Sequence, residues 1–286
     1  MASDLLSPSE RADAARVRVL IPTGYGLNCE AETAAGFARV GASVEMVHVG
    51  DLLARGARAL ADYHLIAFVG GFSFGDHIAS GRVFANRLRF RLGDELARFV
   101  DDGGLALGIC NGFQTMVSLG LLPAVGRARG TGLAKQSAAL VHNDRLGYFD
   151  VWVRLAADPA SPCVFTRGLA GSLIECPSRH GEGKLVFADE ALLARVTAEH
   201  LVPLRYADAS GAATEAWPHN PNGSRGGAAA LCDSSGRVFG MMPHPDAYLY
   251  PENHPQWIAQ RDAGTLPAHG LGLRIFANGV RAAMGR

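Results

Sequence analysis

The segment Leu105–Gln114 reads LALGICNGFQ: an apolar run, a cysteine flanked by glycines, and the start of a new periodic stretch. The apolar run predicts a buried strand, and the residues after Cys110 predict a helix. Gly108 and Gly112 let that helix pack close to the strand, so we expect the cysteine on a sharp strand-to-helix turn. Its side chain then points over the sheet edge, where the first amides of the helix favour a thiolate. The alternative is a buried cysteine in an ordinary turn.

Strands and helices alternate through the first part of the chain. Short apolar runs at Val17–Pro22, Ser43–Val49 and Leu65–Gly71 predict three further strands. Residues 29–41 have helical spacing and stop at a glycine, and residues 93–104 predict a helix that ends in two glycines. This alternation predicts a parallel sheet covered by helices, which binds ligands beyond the carboxyl ends of its strands.

The second half of the chain has a different pattern. Residues 148–155 alternate like a half-buried strand, and residues 228–242 predict two strands joined by a tight turn at DSSG. Residues 270–285 predict a closing amphipathic helix. We therefore expect an α/β fold with a mostly parallel sheet flanked by helices and extra antiparallel strands in the second half. Residues 17–286 form one domain in this interpretation, after a polar N-terminal leader at 1–16.

Composition and charge exclude several classes of protein. Lys+Arg and Asp+Glu both number 27, so nothing favours nucleic acid or an anionic membrane as a partner. No apolar run approaches the roughly 18 residues of a membrane-spanning helix, and no signal peptide is recognisable. The five cysteines form no C-x-x-C pair, which argues against a disulfide framework or a zinc site. This pattern predicts a reducing, cytoplasmic location.

A thiolate nucleophile needs a group that takes and returns its proton. Among the ten histidines, His244 in MMPHPDAY follows an apolar strand, and Asp246 lies two residues further on. Residues i and i+2 of an extended segment share a side, so this carboxylate is placed to orient the imidazole. The alternative is a proline-rich surface loop.

Glycines also follow the third predicted strand, in VGGFSFGDH. Gly70 and Gly71 let backbone N–H groups turn toward a substrate oxygen without obstruction by side chains. The alternative interpretation of this segment is a flexible turn.

Taken together, these segments resemble the class I glutamine amidotransferases, which use a Cys-His-Glu triad on a flavodoxin-like domain. The resemblance is narrower still to the glutaminase subunits of phosphoribosylformylglycinamidine synthase. The motifs that carry it occur in the same order over about residues 17–257: NCEAET, GGFSFGD, GICNGFQ, HGEGK, RYAD, NPNGS and GMMPHPDA.

The resemblance implies a mechanism and its residues. Cys110 would attack the side-chain amide of glutamine, and His244 would move the proton, leaving a glutamyl thioester that water hydrolyses. The backbone N–H groups of Gly71 and Asn111 would form the oxyanion hole. Asp246 stands where the family usually has glutamate, and its shorter side chain predicts contact with the imidazole only through a loop shift or a water.

The same resemblance implies that Gly70, Phe72, Gln114 and His180 contact the L-glutamine substrate. Gln114 lies four residues after the cysteine, so it faces the same side of the helix. His180 lies in CPSRHGEGK, where it is placed to touch the α-carboxylate or α-amino group of glutamine. Without the resemblance, that segment is a glycine-rich, solvated turn.

The implied partner is a synthetase subunit that uses ATP and Mg²⁺ to aminate formylglycinamide ribonucleotide in purine biosynthesis. Some systems of this family add a small bridging subunit. We expect no cofactor or metal in this chain. It contains no G-x-x-x-x-G-K-[ST] phosphate-binding loop, so the ATP site is expected on the synthetase subunit.

Two other interpretations compete with a glutaminase. Gly24–Gly26, in GYG after the first strand, suggests a dinucleotide-binding turn, but the third glycine is missing and Cys29 stands in its place. The other is a non-catalytic or stress-protein-like member of the same scaffold superfamily. Such a copy usually loses the cysteine or the histidine, and this chain has both.

Overall fold

The computed structural model describes residues 5–56 and 59–285. Its strands, in chain order, are β1 (Arg18–Thr23), β2 (Ser43–His48), β3 (Leu65–Phe68), β4 (Leu105–Ile109), β5 (Ala138–Val141), β6 (Phe149–Ala157), β7 (Ile174–His180), β8 (Lys184–Phe187), β9 (Leu204–Ala207), β10 (Ala230–Cys232) and β11 (Val238–Met241). Its α-helices are α1 (Pro8–Ala14), α2 (Glu30–Arg39), α3 (Val49–Ala54), α4 (Arg82–Asp101), α5 (Asn111–Leu119), α6 (Glu190–Ala198), α7 (Trp257–Asp262) and α8 (Leu273–Met284).

One six-stranded sheet organises the molecule, in the order β10-β11-β4-β3-β1-β2. All neighbours in it are parallel except β10 and β11, which form the predicted hairpin around the DSSG turn. Strands β3, β4 and β11 are buried along their whole length, as expected for the centre of a parallel sheet. The pairing of β11 with β4 places Met241 beside Ile109, so both strands end at the same edge.

Two smaller antiparallel sheets come from the second half of the chain. Strands β7, β6 and β9 form one, and β5 pairs with β8 in the other. The predicted fold class, a mostly parallel sheet with helices and additional antiparallel strands, is therefore confirmed. Two helix pairs, α2 with α8 and α4 with α5, accompany the main sheet.

Helix α5 follows β4 without a loop because glycines remove side chains from the turn. A Cβ atom on Gly112 would overlap the carbonyl oxygen of Phe68 in β3, and one on Gly108 would overlap the sulfur of Met116. The close approach that the sequence predicted therefore exists on both sides of Cys110.

Helix α4 is longer than the sequence pattern indicated. The prediction covered only residues 93–104, whereas the helix begins at Arg82 and runs for 20 residues. The part of the helix before Gly93 buries an apolar stripe at Phe84, Leu88 and Leu92. In the sequence, arginines lie between these apolar residues and make their helical spacing hard to recognise, so the predicted helix began too late.

The N-terminal segment includes helix α1, which a side-chain hydrogen bond connects to helix α8 near the C-terminus. Ser7 and Glu10 form a capping box at the start of α1, and Leu6 is buried. Glu10 accepts a 2.7 Å hydrogen bond from Arg281 in α8, and this bond holds the pKa of the carboxyl at about 2. Among the described residues, no helix is long and apolar enough to cross a membrane.

We predict that Gly112→Ala lowers the free energy of unfolding by about 1–3 kcal/mol, because a methyl group would force α5 away from β3. The matched control is Gly93→Ala inside α4, where the nearest atom to an added Cβ is 3.6 Å away. Alanine at that helical position should stabilise the protein by about 0.5–1 kcal/mol. Chemical denaturation measures both changes, and equal effects would contradict the packing argument.

Candidate active site

Cys110 occupies a strained backbone position at the carboxyl end of β4. Its φ of 51° and ψ of −107° lie in a region that residues other than glycine rarely adopt. Hydrogen bonds hold it on both sides: its N–H donates to Met241 at 2.9 Å, and its carbonyl accepts from Gln114 at 3.0 Å. The sulfur lies 3.4 Å from the carbonyl oxygen of Arg179 in β7. The predicted strand-to-helix elbow is therefore present, and the fold holds it in place.

His244 reaches the same edge because it follows β11, the parallel neighbour of β4. Its backbone N–H donates to Pro177 at 2.7 Å, and its Nδ1 lies 3.2 Å from Oδ1 of Asp246. The other oxygen of Asp246 accepts a hydrogen bond from Thr33 at 3.3 Å. A 3₁₀ turn at Pro245–Ala247 folds the carboxylate back, so the shorter aspartate reaches the imidazole directly, without a loop shift or a water.

The electrostatics of this pair favour an imidazolium. Burial lowers the pKa of His244, but the charges of Asp246 and Cys110 outweigh burial and raise the pKa well above its usual value. Both members of the His–Asp pair are buried, with 4% and 3% of their surfaces exposed. Within the described chain, Nε2 of His244 makes no hydrogen bond. That nitrogen is therefore available to exchange a proton with a nearby group.

Gly71 and Asn111, the two residues predicted to form an oxyanion hole, differ in their backbone surroundings. Gly71 has a φ of 139°, and a Cβ atom there would lie 2.7 Å from the backbone nitrogen of Asn28, so only glycine fits. Gly71 stands opposite Leu27 in an isolated antiparallel bridge. The hydrogen bonds of this bridge run from the N–H of Asn28 to Gly70 and from the N–H of Phe72 to Gly26. Asn111 is the first residue of α5, where backbone N–H groups lack partners within the helix.

The four predicted substrate contacts have different surroundings. A Cβ atom on Gly70 would lie 2.8 Å from Cε1 of His244, so its lack of a side chain makes room for the imidazole. Phe72 is 44% exposed and stands at the rim, with its ring centroid 6.1 Å from that of Tyr148. Gln114 uses both ends of its amide within the protein, accepting from Asn111 and donating to Glu182.

His180 is buried at the end of β7. Its Nδ1 lies 3.1 Å from Oδ1 of Asn143, while its Nε2 has no hydrogen-bond partner in the described part of the chain. Burial, helped by the charge of His244, lowers the pKa of His180 to about 4. His180 is therefore a neutral polar group near the imidazole of His244.

Sequence reasoning missed a polar network that fixes the start of α5. Asp76 accepts a 2.9 Å hydrogen bond from the side chain of Asn111, and burial raises the pKa of Asp76. Glu182 accepts from the backbone of Ser80 at 3.0 Å and is joined to Gln114 through its own carbonyl oxygen. Both acids lie in motifs that were recognised, GGFSFGD and HGEGK, but nothing in their spacing indicated that they meet.

Cys29 and Thr33 were missed as well, although a signal existed. They lie four residues apart at the start of α2, so the helix presents them on one face. The backbone N–H of Cys29 donates to Gly70 at 3.3 Å.

The GYG turn has a structural role here: Tyr25 stacks on Phe74 at 4.5 Å, and the turn supports the loop that contains Gly71.

Comparison with known proteins gives the class to which this arrangement belongs. The sequence matches the CobB/CobQ-like glutamine amidotransferase domain over residues 16–281, more than nine-tenths of the chain, and the chain belongs to that family. The predicted resemblance to glutamine amidotransferases is thereby confirmed.

Individual proteins show which members of the family this chain resembles. The chain is 40% identical to phosphoribosylformylglycinamidine synthase subunit PurQ of Methanococcus maripaludis strain S2 over 272 residues, covering 92% of this chain and 96% of the relative. It is 38% identical to the PurQ subunit of Dehalococcoides mccartyi strain 195, with coverage of 93% and 97%. The solved structure of PurLQS from Thermotoga maritima superposes with a TM-score of 0.66 at 26% identity, covering 93% of this chain and 98% of that one.

We predict that backbone strain at Cys110 makes the glycine variant more stable than the alanine variant, which is the reverse of the usual order. Cys110→Gly should unfold with a free energy about 1–2 kcal/mol higher than Cys110→Ala, because glycine adopts the observed φ without steric cost. The control is Cys232, which lies in strand β10 with an ordinary φ. There, glycine should be about 0.5–1 kcal/mol less stable than alanine. The same order at both positions would show that Cys110 is unstrained.

Proposed function

We propose that this chain is the glutaminase subunit of phosphoribosylformylglycinamidine synthase. It hydrolyses L-glutamine to glutamate and ammonia and delivers the ammonia to a synthetase subunit. The observation that carries the proposal is the placement of Cys110 and the His244–Asp246 pair at the ends of two paired strands. The relatives that match this chain along nearly their whole length are PurQ subunits of that synthase.

The reaction proceeds by acyl transfer through the cysteine. His244 takes the proton of the Cys110 thiol, and the sulfur attacks the side-chain carbonyl carbon of glutamine. The carbonyl oxygen becomes an oxyanion and accepts hydrogen bonds from the N–H groups of Gly71 and Asn111. The imidazolium returns the proton to the amide nitrogen, the C–N bond breaks, and ammonia leaves. Water, deprotonated by the same imidazole, then attacks the thioester carbon. The C–S bond breaks, glutamate leaves, and the imidazolium returns the proton to the sulfur.

Asp246 acts in this scheme by holding the imidazole. Its bond to Nδ1 fixes the ring so that Nε2 carries out the proton transfer, and its charge stabilises the imidazolium. Thr33 positions Asp246 in turn, because it donates to the oxygen that the imidazole does not use.

The substrate contacts divide into direct and supporting roles. His180 offers a neutral, unpartnered Nε2 to a polar group of glutamine, and Phe72 borders the entrance. Gln114 shapes the wall, since its amide is already bonded on both sides. Gly70 keeps the space beside His244 open.

The partner in this proposal is the synthetase subunit, which holds the ATP and Mg²⁺ that the amination requires; the chain itself needs no cofactor for glutamine hydrolysis. A small bridging subunit belongs to the assembly in some systems. We place the assembly in the cytoplasm, where free thiols persist.

The decisive experiment is Cys110→Ala in the enzyme assembled with its synthetase. Synthesis of the amidine from glutamine should fall by at least about 10³-fold, because no thioester can form. Synthesis from added ammonium salt should stay within about twofold of the unmodified enzyme, since the synthetase site is intact. Cys232→Ala, a buried cysteine elsewhere in the sheet, should keep both activities. Retention of glutamine-dependent synthesis by Cys110→Ala would overturn the proposal.

We further predict that an electrophilic glutamine analogue labels Cys110 and spares the other four cysteines. Cys29 is the stringent comparison, because it is half-buried and close to His244, yet it lies at the start of α2 rather than on the elbow. Peptide mapping by mass spectrometry identifies the labelled residue. Equal labelling of all five cysteines would favour a scaffold without catalytic activity.

A further inference from the structure

A second group of possible ligands overlaps the catalytic pair. The sulfur of Cys29, an imidazole nitrogen of His244 and a carboxylate oxygen of Asp246 all lie within 4.8 Å of one another. They come from α2 and from the segment after β11, so only the tertiary structure brings them together. His244 and Asp246 are buried, and Cys29 is half-buried, which gives the cluster one side open to entry.

The donors of this cluster are held by contacts that a cation can replace. Nδ1 of His244 lies 3.2 Å from Oδ1 of Asp246, so a cation that joins the imidazole to the carboxylate takes the place of one proton. The Cys29 thiol, a weak donor, has a 3.4 Å contact with the side chain of Asn28. Gly70 creates the space next to them: a Cβ atom there would lie 2.8 Å from Cε1 of His244 and 3.1 Å from the sulfur of Cys29.

The size of the cluster suits a small cation. Three points no more than 4.8 Å apart fit within a circle whose radius is at most about 2.8 Å. Zinc binds sulfur at about 2.3 Å and nitrogen or oxygen at about 2.0–2.2 Å, so each ligand needs to move by less than about 1 Å. Three protein ligands also leave a fourth tetrahedral position open.

The donor types select the cation. Thiolate and imidazole favour Zn²⁺, Co²⁺ and Cd²⁺, whereas Mg²⁺ and Ca²⁺ prefer oxygen alone. A divalent cation would displace the proton of the Cys29 thiol and the proton on Nδ1 of His244, and both are released to solvent.

We propose that the catalytic cleft is also a binding site for a thiophilic divalent cation of the Zn²⁺ type, held by Cys29, His244 and Asp246. An occupied site replaces the hydrogen bond between Nδ1 and Asp246 that orients the imidazole and stabilises its protonated form, so the cation reversibly impairs proton transfer to and from Cys110. The binding is independent of the proposed glutaminase function, while the effect on turnover rests on it.

Binding is tested directly on the full chain with Co²⁺ and Cd²⁺ as spectroscopic probes of the Zn²⁺ site. The unmodified protein should show a thiolate-to-metal charge-transfer band that saturates at one equivalent. Cys29→Ser should lose the band and bind at least tenfold more weakly. The matched control is His200→Asn, which disrupts an exposed His–Asp pair, 2.9 Å apart, outside the proposed site. This control should bind like the unmodified protein.

Gly70→Ala provides a second variant if Cys29→Ser fails to fold. It retains all three ligands but places a methyl group in the space between two of them, so binding should again weaken at least tenfold. An unchanged charge-transfer band in folded Cys29→Ser, or an equal loss in His200→Asn, would overturn the proposed site. Saturation by Mg²⁺ at the same affinity would also overturn it.

The effect on activity is measured as Zn²⁺ inhibition of glutamine hydrolysis, relative to the metal-free rate of each variant. Half-inhibition of Cys29→Ser should need at least tenfold more Zn²⁺, and a chelator should restore the unmodified enzyme. Metal binding without any glutaminase activity would leave this site standing and refute the proposed function. Glutaminase activity with no cysteine-dependent metal binding would refute the site alone.

Discussion

The parallel pairing of β4 with β11 is the constraint on which the site depends. Each strand ends at the same sheet edge, and a hydrogen bond from Cys110 to Met241 continues the pairing into the turn. Cys110 and the segment that carries His244 are therefore fixed side by side by backbone hydrogen bonds. If Cys110 and His244 stood on loops that no strand pairing joined, the sulfur and the imidazole would be free to move apart.

The strained elbow persists because its surroundings leave no relaxed alternative. Helix α5 is packed on β3 through Gly112, and polar side chains tie its first turn to the loops at Asp76 and Glu182. A strained backbone costs on the order of 1–3 kcal/mol, which a well-packed domain tolerates when many contacts determine the position. In this conformation the sulfur lies 3.4 Å from the carbonyl oxygen of Arg179 in β7.

Much of the central domain was predictable because its signals are local. The apolar runs of β1, β3 and β4, the helix after Cys110 and the β10–β11 hairpin each follow from periodicity and turn residues. The missed half of α4 shows the limit, since arginines break the apparent pattern while its apolar stripe still faces the core. Asp246 shows another limit: side-chain length alone suggested an indirect contact, and a 3₁₀ turn supplied the missing reach.

The sequence by itself determined the elbow, the order of strands and helices, and the identity of the cysteine and histidine, because these depend on neighbours along the chain. Only the tertiary structure decided that Thr33 supports Asp246 and that Cys29 joins the same cluster. Cysteine spacing compares ligands that are close in sequence, whereas Cys29 lies more than 200 positions before His244 and Asp246. Contacts of that kind arise from the packing of α2 against the chain after β11, which no local pattern encodes.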